Sequence, residues 1–164
     1  ICPAAEGNLG DGFFNAVEYL KANGQFGIGS DSHISISPTE ELRWLEYGQR
    51  LLHRSRNVLS GGYERSTGHT LFTKSATGGA QACGHNSGEI AVGKRADFIV
   101  LDTEHPLLCE RSGDEILDSW IFSGNNNTVR DVYVGGKHVI QDGQHAQQSE
   151  IAERFKSTLK NLRN

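Results

Sequence analysis

The chain has 164 residues, 22% of them charged, and a formal net charge of −4. That length holds one compact domain or two small pieces with their own cores, and the mildly acidic balance argues against nucleic acid or an anionic membrane as the main partner. The longest continuous apolar run, Phe98 to Leu101, is far too short to span a membrane.

The cysteines Cys2, Cys83 and Cys109 are scattered and odd in number, which predicts reduced thiols in a cytoplasmic protein rather than a disulfide framework. There is no methionine, the chain opens on Ile1, and no secretory leader pattern follows. These features predict an interior start, with polypeptide missing upstream.

In chain order, a glycine-rich loop from Glu6 to Gly12 leads into a first predicted helix. Asp11 is its expected N-cap, Phe13, Val17 and Leu20 its apolar stripe, and Gly24 its stop. Gln25 to Ser30, with Phe26 and Ile28 alternating, reads as a buried strand that ends at the polar cluster Ser30-Asp31-Ser32-His33. Ser37, Pro38 and Glu40 combine an N-cap serine, an N1 proline and a capping-box glutamate, and open a helix expected to run to about Arg54. Helix, buried strand, polar turn and helix follow the rhythm of an α/β layer with a parallel sheet.

Residues 55–68 read as a polar loop. Leu71 to Cys83 reads as a helix whose Ala76, Gly78, Gly79, Ala80 and Ala82 let a neighbour approach closely. Glu89 to Val92 and Asp97 to Leu101 are strand-like, and Ser112 to Glu115 looks like a second capping box opening a short helix. Gly135-Gly136 joins two alternating runs, a strong two-residue hairpin signal. From Ser149 an apolar stripe of Ile151, Phe155, Leu159 and Leu162 predicts a helix that docks. The expected division is residues 1–87, α/β, and residues 88–164, mostly antiparallel β.

Asp31 is the strongest chemical candidate. At the tip of a probable parallel strand it stands where α/β folds build their sites, and a carboxylate there can bind a metal and accept a proton from water. The alternative is an Asx turn or a cap on local backbone amides. His33, two residues on, shares its face in an extended segment. Glu6 and Asn8 would reach the same rim if a strand lies just upstream. The other histidines form no pair with metal-ligand spacing, and neither a phosphate loop nor a nucleophile elbow is present.

Together the segments Cys2 to Gly12, Gly27 to His33 and Glu40 to Arg50 resemble the formimidoylglutamate deiminases of the amidohydrolase superfamily, over essentially the whole chain. The block Gly88 to Asp102 is shared by many amidohydrolases. The resemblance implies the C-terminal βα units of a metal-dependent (β/α)8 barrel plus a small, mostly antiparallel β-sandwich domain, in a homodimer. It implies zinc-dependent hydrolysis of N-formimino-L-glutamate to N-formyl-L-glutamate and ammonia, in histidine degradation. Asp31 would be the metal ligand and proton carrier, with Glu6, Asn8, Ser32 and His33 as substrate contacts. The remaining metal ligands would lie in the missing N-terminal portion of the same enzyme, so the isolated chain is expected to be inactive. The rival readings are another amidohydrolase deaminase, of guanine deaminase or chlorohydrolase type, and a non-catalytic assembly module.

Overall fold

The computed structural model describes residues 1–62 and 66–163. Part of the expected loop 55–68 therefore falls outside the described residues. The chain forms two compact units that interleave along the sequence, one of residues 1–94 with 103–126, the other of residues 95–102 with 127–164. The single boundary drawn at 87/88 from the sequence differs from this, because residues 103–126 return to the first unit. The architecture is mixed α/β, and its one sheet among the described residues is antiparallel.

The first unit contains α1 (Pro3–Leu9), α2 (Ala16–Lys21), α3 (Pro38–His53), α4 (Thr67–Ala82) and α5 (Asp114–Phe122). Helix α3 starts where expected: the Ser37 hydroxyl accepts the Glu40 N–H at 3.3 Å, with Pro38 in the first turn. It ends at Arg54 in the left-handed conformation, φ 50°. The Glu40 carboxylate takes the Ser35 hydroxyl, so only half of the capping box forms. Leu42 and Leu45 on α3 join Leu59, Leu71, Leu108, Trp120 and Ile121 in the core of this unit.

Two charged residues of α3 act as fasteners. Arg43 donates to the carbonyls of Ile121 and Gly124, filling acceptors that the end of α5 leaves open. Glu46, fully buried, accepts the Arg50 guanidinium at 2.7 Å and the backbone N–H groups of Val58 and Leu59 at 3.0 and 2.9 Å. Glu46→Ala strands those buried donors, so it is expected to cost about 2–4 kcal/mol, read as a lower urea midpoint, with Glu46→Gln losing less.

The small residues of α4 do the packing work expected of them. A Cβ on Gly78 would lie 2.1 Å from the Phe26 carbonyl oxygen, and one on Gly27 would lie 2.7 Å from the Gly79 Cα. The segment 25–30 is extended but does not form a sheet strand. Its one pairing is with Ile1, whose N-terminal amine donates to Gly27 O and whose carbonyl accepts from Gly29 N, both at 3.0 Å. One residue bracketed by two positions on its neighbour is the bonding pattern of a parallel pair.

Near the start the structure departs from expectation. Residues 3–9 are helical rather than looped, begun by Pro3 and stopped by Gly10 in the left-handed conformation, φ 79°. Asp11 caps nothing: α2 starts only at Ala16, after a tight turn in which Phe14 O accepts the Ala16 N–H at 2.8 Å and is also held by the Gln49 amide at 2.8 Å. At the other end of this unit Glu89 to Val92 is not a strand. It lacks a pairing neighbour and turns at Gly93, leaving Ile90 and Val92 exposed. Ser112 does not cap α5 through its side chain; Gly113 is the cap residue, and Glu115 reaches back to Ser112 N at 3.4 Å.

The second unit is a four-stranded antiparallel meander of β1 (Phe98–Leu101), β2 (Val129–Val134), β3 (Lys137–Gln141) and β4 (Gln144–His145), followed by α6 (Gln148–Leu162). The hairpin at Gly135-Gly136 forms with φ of 56° and 77°, a pair of positive values that side chains resist. Phe98, Tyr133 and His138 stack across three strands with centroids 4.4 Å apart. Buried Asp131 binds Arg130 at 2.8 Å and His138 at 2.9 Å, and the Arg130 hydrogen bond holds its carboxyl below the ordinary value. Helix α6 forms as predicted but does not dock: none of its residues is buried, and Phe155 is 63% exposed.

Candidate active site

The parallel bridge between Ile1 and Gly27–Gly29 sets the geometry. Both segments run the same way, so the residues that follow each, Cys2 onward and Ser30 onward, emerge at one end. A Cβ at Gly29 would stand 3.5 Å from the Cys2 sulfur, so the two exits are adjacent. The C-terminal ends of parallel strands are where α/β folds gather their chemistry.

From the second exit the chain turns at once. His33 N–H donates to Ser30 O at 2.9 Å, closing a turn with Asp31 in the left-handed conformation at φ 48°. Aspartate tolerates that conformation better than most residues, at a cost of about 1 kcal/mol or more. Its Oδ1 accepts the Ser32 N–H at 2.5 Å. The Asx turn weighed above would use the residue after that and is not formed. Asp31 and Ser32 are both exposed, so the carboxylate is presented to solvent and not sealed into the turn. His33 is half-buried, and its Nδ1 accepts the Ser35 N–H at 3.2 Å.

From the first exit comes α1 with Glu6 and Asn8. Glu6 turns its carboxylate onto the Cys2 N–H at 2.9 Å, whereas Asn8 is exposed. The Trp44 ring lies under Gly7, 3.6 Å from where a Cβ would be, and fixes the height of α1 over α3. An apolar cleft of about 270 Å³ opens beside it, with Glu6 its one ionisable lining residue among those described.

A residue not singled out in the sequence reading holds the first exit. Glu41 on α3 is 2% exposed, and its Oε2 accepts the Ala4 N–H at 2.8 Å. Burial pushes its carboxyl above the ordinary value; the Ala4 N–H and then His33 oppose the shift, and Glu40 and Glu6 add to it. A signal for it was present. Glu41, Leu45 and Gln49 recur at every fourth position beside Leu42, which puts polar side chains on a stripe that periodicity assigns to the core.

An exposed carboxylate is free to serve as an oxygen ligand for a divalent ion, and Asp31 fits that role. No group of three His, Cys, Asp or Glu side chains that could hold a metal occurs among the described residues. Asp31 therefore fits as one ligand of a shared set and not as a site by itself, since catalytic zinc takes three protein ligands.

The sequence matches the model of the amidohydrolase family over residues 1–139. It is 48% identical over 162 residues to the formimidoylglutamate deiminase of Pseudomonas aeruginosa, covering 99% of this chain and 36% of that protein. An amidohydrolase from Brucella melitensis superposes with a TM-score of 0.89 at 45% identity, again over 99% of this chain and 36% of that one. An adenosine deaminase from Xanthomonas campestris with bound zinc superposes with a TM-score of 0.82 at 21% identity, a likeness of fold, over 99% of this chain and 36% of that one. The chain thus spans about a third of the length of these relatives. The chain belongs to the amidohydrolase family.

Proposed function

We propose that this chain is the C-terminal portion of a zinc-dependent formimidoylglutamate deiminase, which hydrolyses N-formimino-L-glutamate to N-formyl-L-glutamate and ammonia in histidine degradation. The observation that carries the reading is the 48% identity to a formimidoylglutamate deiminase over 99% of the chain. The segment 1–87 would then close one side of a (β/α)8 barrel, and the antiparallel meander would be part of a small β-sandwich. The complete enzyme would be a cytoplasmic homodimer.

Asp31, together with ligands from the rest of the enzyme, would hold zinc, which would supply an acidified water when bound. Asp31 would take the first proton of the attacking water and pass it to the imino nitrogen, then relay the second from the hydroxyl of the tetrahedral adduct to the same nitrogen as the C–N bond breaks, so that C=NH becomes C=O and ammonia leaves. Ser32 and His33 face the substrate from the same turn, and Glu6 and Asn8 from α1. With one metal ligand, this chain alone is inactive.

The full-length enzyme tests the reading through ammonia release from N-formimino-L-glutamate, guanine and adenosine in parallel. The expected result is a kcat/KM for N-formimino-L-glutamate at least about a hundredfold above the purines. Comparable turnover of guanine or adenosine would assign the chain to another deaminase.

A further inference from the structure

We propose that Glu41 is a positioning residue for the candidate site, holding α1 with its Glu6 and Asn8 against the turn that carries Asp31 and His33. The kinetic part of this inference rests on the deiminase reading; its structural part does not.

Helix α1 has seven residues, far too few to be stable by itself. Its first turn opens at Cys2, which has no capping side-chain hydrogen bond. The buried bond from Ala4 N to Glu41 Oε2 supplies what the local sequence lacks, across 37 positions of chain. Glu41 projects from the first turn of α3, immediately beyond the Ser37 cap, so a capped helix end sets where α1 begins.

The second carboxyl oxygen of Glu41 is buried without a hydrogen-bond partner among the described residues. An ionised carboxylate in that position would leave one charged oxygen unsolvated, whereas a neutral acid would leave only an uncharged O–H there, a smaller desolvation cost, while its carbonyl oxygen meets the Ala4 N–H. Burial pushes the group in that direction, the Ala4 N–H and then His33 work against it, and Glu40 and Glu6 reinforce it. Glu6 on one exit and His33 on the other are thus both close enough to act on the Glu41 carboxyl.

Glu41→Gln and Glu41→Ala in the full-length enzyme separate positioning from general stability. Alanine is expected to raise KM about tenfold and leave kcat within about twofold, because substrate contacts move while the reacting carboxylate does not. Glutamine keeps an acceptor for the Ala4 N–H and is expected to restore KM to within about twofold. An unchanged KM in Glu41→Ala, or a glutamine variant as impaired as alanine, overturns the proposal.

Amide hydrogen exchange needs no substrate and judges Glu41 even if the unmodified enzyme leaves N-formimino-L-glutamate untouched, a result that would fell only the deiminase reading. The amides of residues 4–6 are expected to exchange at least about tenfold faster in Glu41→Ala and unchanged in Glu41→Gln. Equal protection in the alanine variant contradicts the proposal. If Glu41→Ala does not fold, stability against pH decides between the unmodified enzyme and Glu41→Gln. A carboxyl raised above its ordinary value of about 4.5 loses stability as pH climbs through its folded value. The glutamine variant should match the unmodified enzyme near pH 4 and exceed it increasingly toward neutrality. A difference that stays constant with pH overturns the assignment.

Discussion

Asp31→Asn in the full-length enzyme is expected to lower kcat/KM by about a thousandfold or more, roughly 4 kcal/mol of transition-state stabilisation, with little change in unfolding midpoint. Asparagine tolerates the left-handed backbone that this position adopts at φ 48°, and its amide oxygen can still meet the Ser32 N–H. The turn should therefore survive while the proton acceptor and the anionic metal ligand are lost. Asp31→Gly should relax the backbone, gain slightly in stability, and be as inactive. The informative contrast is activity against stability. A variant that keeps most of its turnover would show that this carboxylate serves the turn and nothing else.

The second large effect is structural. Gly78→Ala is expected to destabilise the protein by about 3 kcal/mol or more, although glycine to alanine inside a helix ordinarily gains about 0.5–1 kcal/mol. The added methyl would meet the oxygen, carbon and nitrogen of Phe26 at 2.1, 2.7 and 2.8 Å. These are backbone atoms, so no rotamer change relieves the contact. Either α4 or the extended segment must move, and that segment runs directly into Asp31. Gly79→Ala, one residue on, is the control. Its nearest neighbour is the Gly27 Cα at 3.8 Å, an ordinary contact, so the usual gain should appear. Urea midpoints of the two variants that shift together would contradict the packing described.

Which features could be read from the sequence follows from where their causes lie. Helix α3 was legible because its start signals are local: a capping serine, a proline and a glutamate within four residues. The Gly135-Gly136 hairpin was legible for the same reason. The small residues of α4 pointed correctly to close packing because close approach is a property of side-chain size. Asp31 was found by its place at a strand tip and by resemblance, and the structure adds its exposure and its left-handed turn.

What was not legible depends on distant partners. Gly7 and Gly10 made α1 look like a loop, yet Trp44 and Glu41, roughly 37 positions away, supply what a short helix lacks. Phe13 looked like part of a helical stripe, but Gln49 holds the neighbouring Phe14 carbonyl in the turn that precedes α2. Ile90 and Val92 alternate as a strand does, but no neighbour pairs with them. The stripe on α6 has helical spacing and forms a helix, and spacing says nothing about what, if anything, covers it. Glu41 was passed over because a glutamate beside a capping glutamate reads as first-turn charge.

The most direct measurement is a crystal structure of the full-length, zinc-loaded enzyme with data collected across the zinc absorption edge. The account predicts an anomalous peak about 2.0–2.2 Å from an Asp31 carboxylate oxygen, beside the turn of residues 30–33. A peak elsewhere, with Asp31 still folded onto Ser32 and away from the metal, would contradict it.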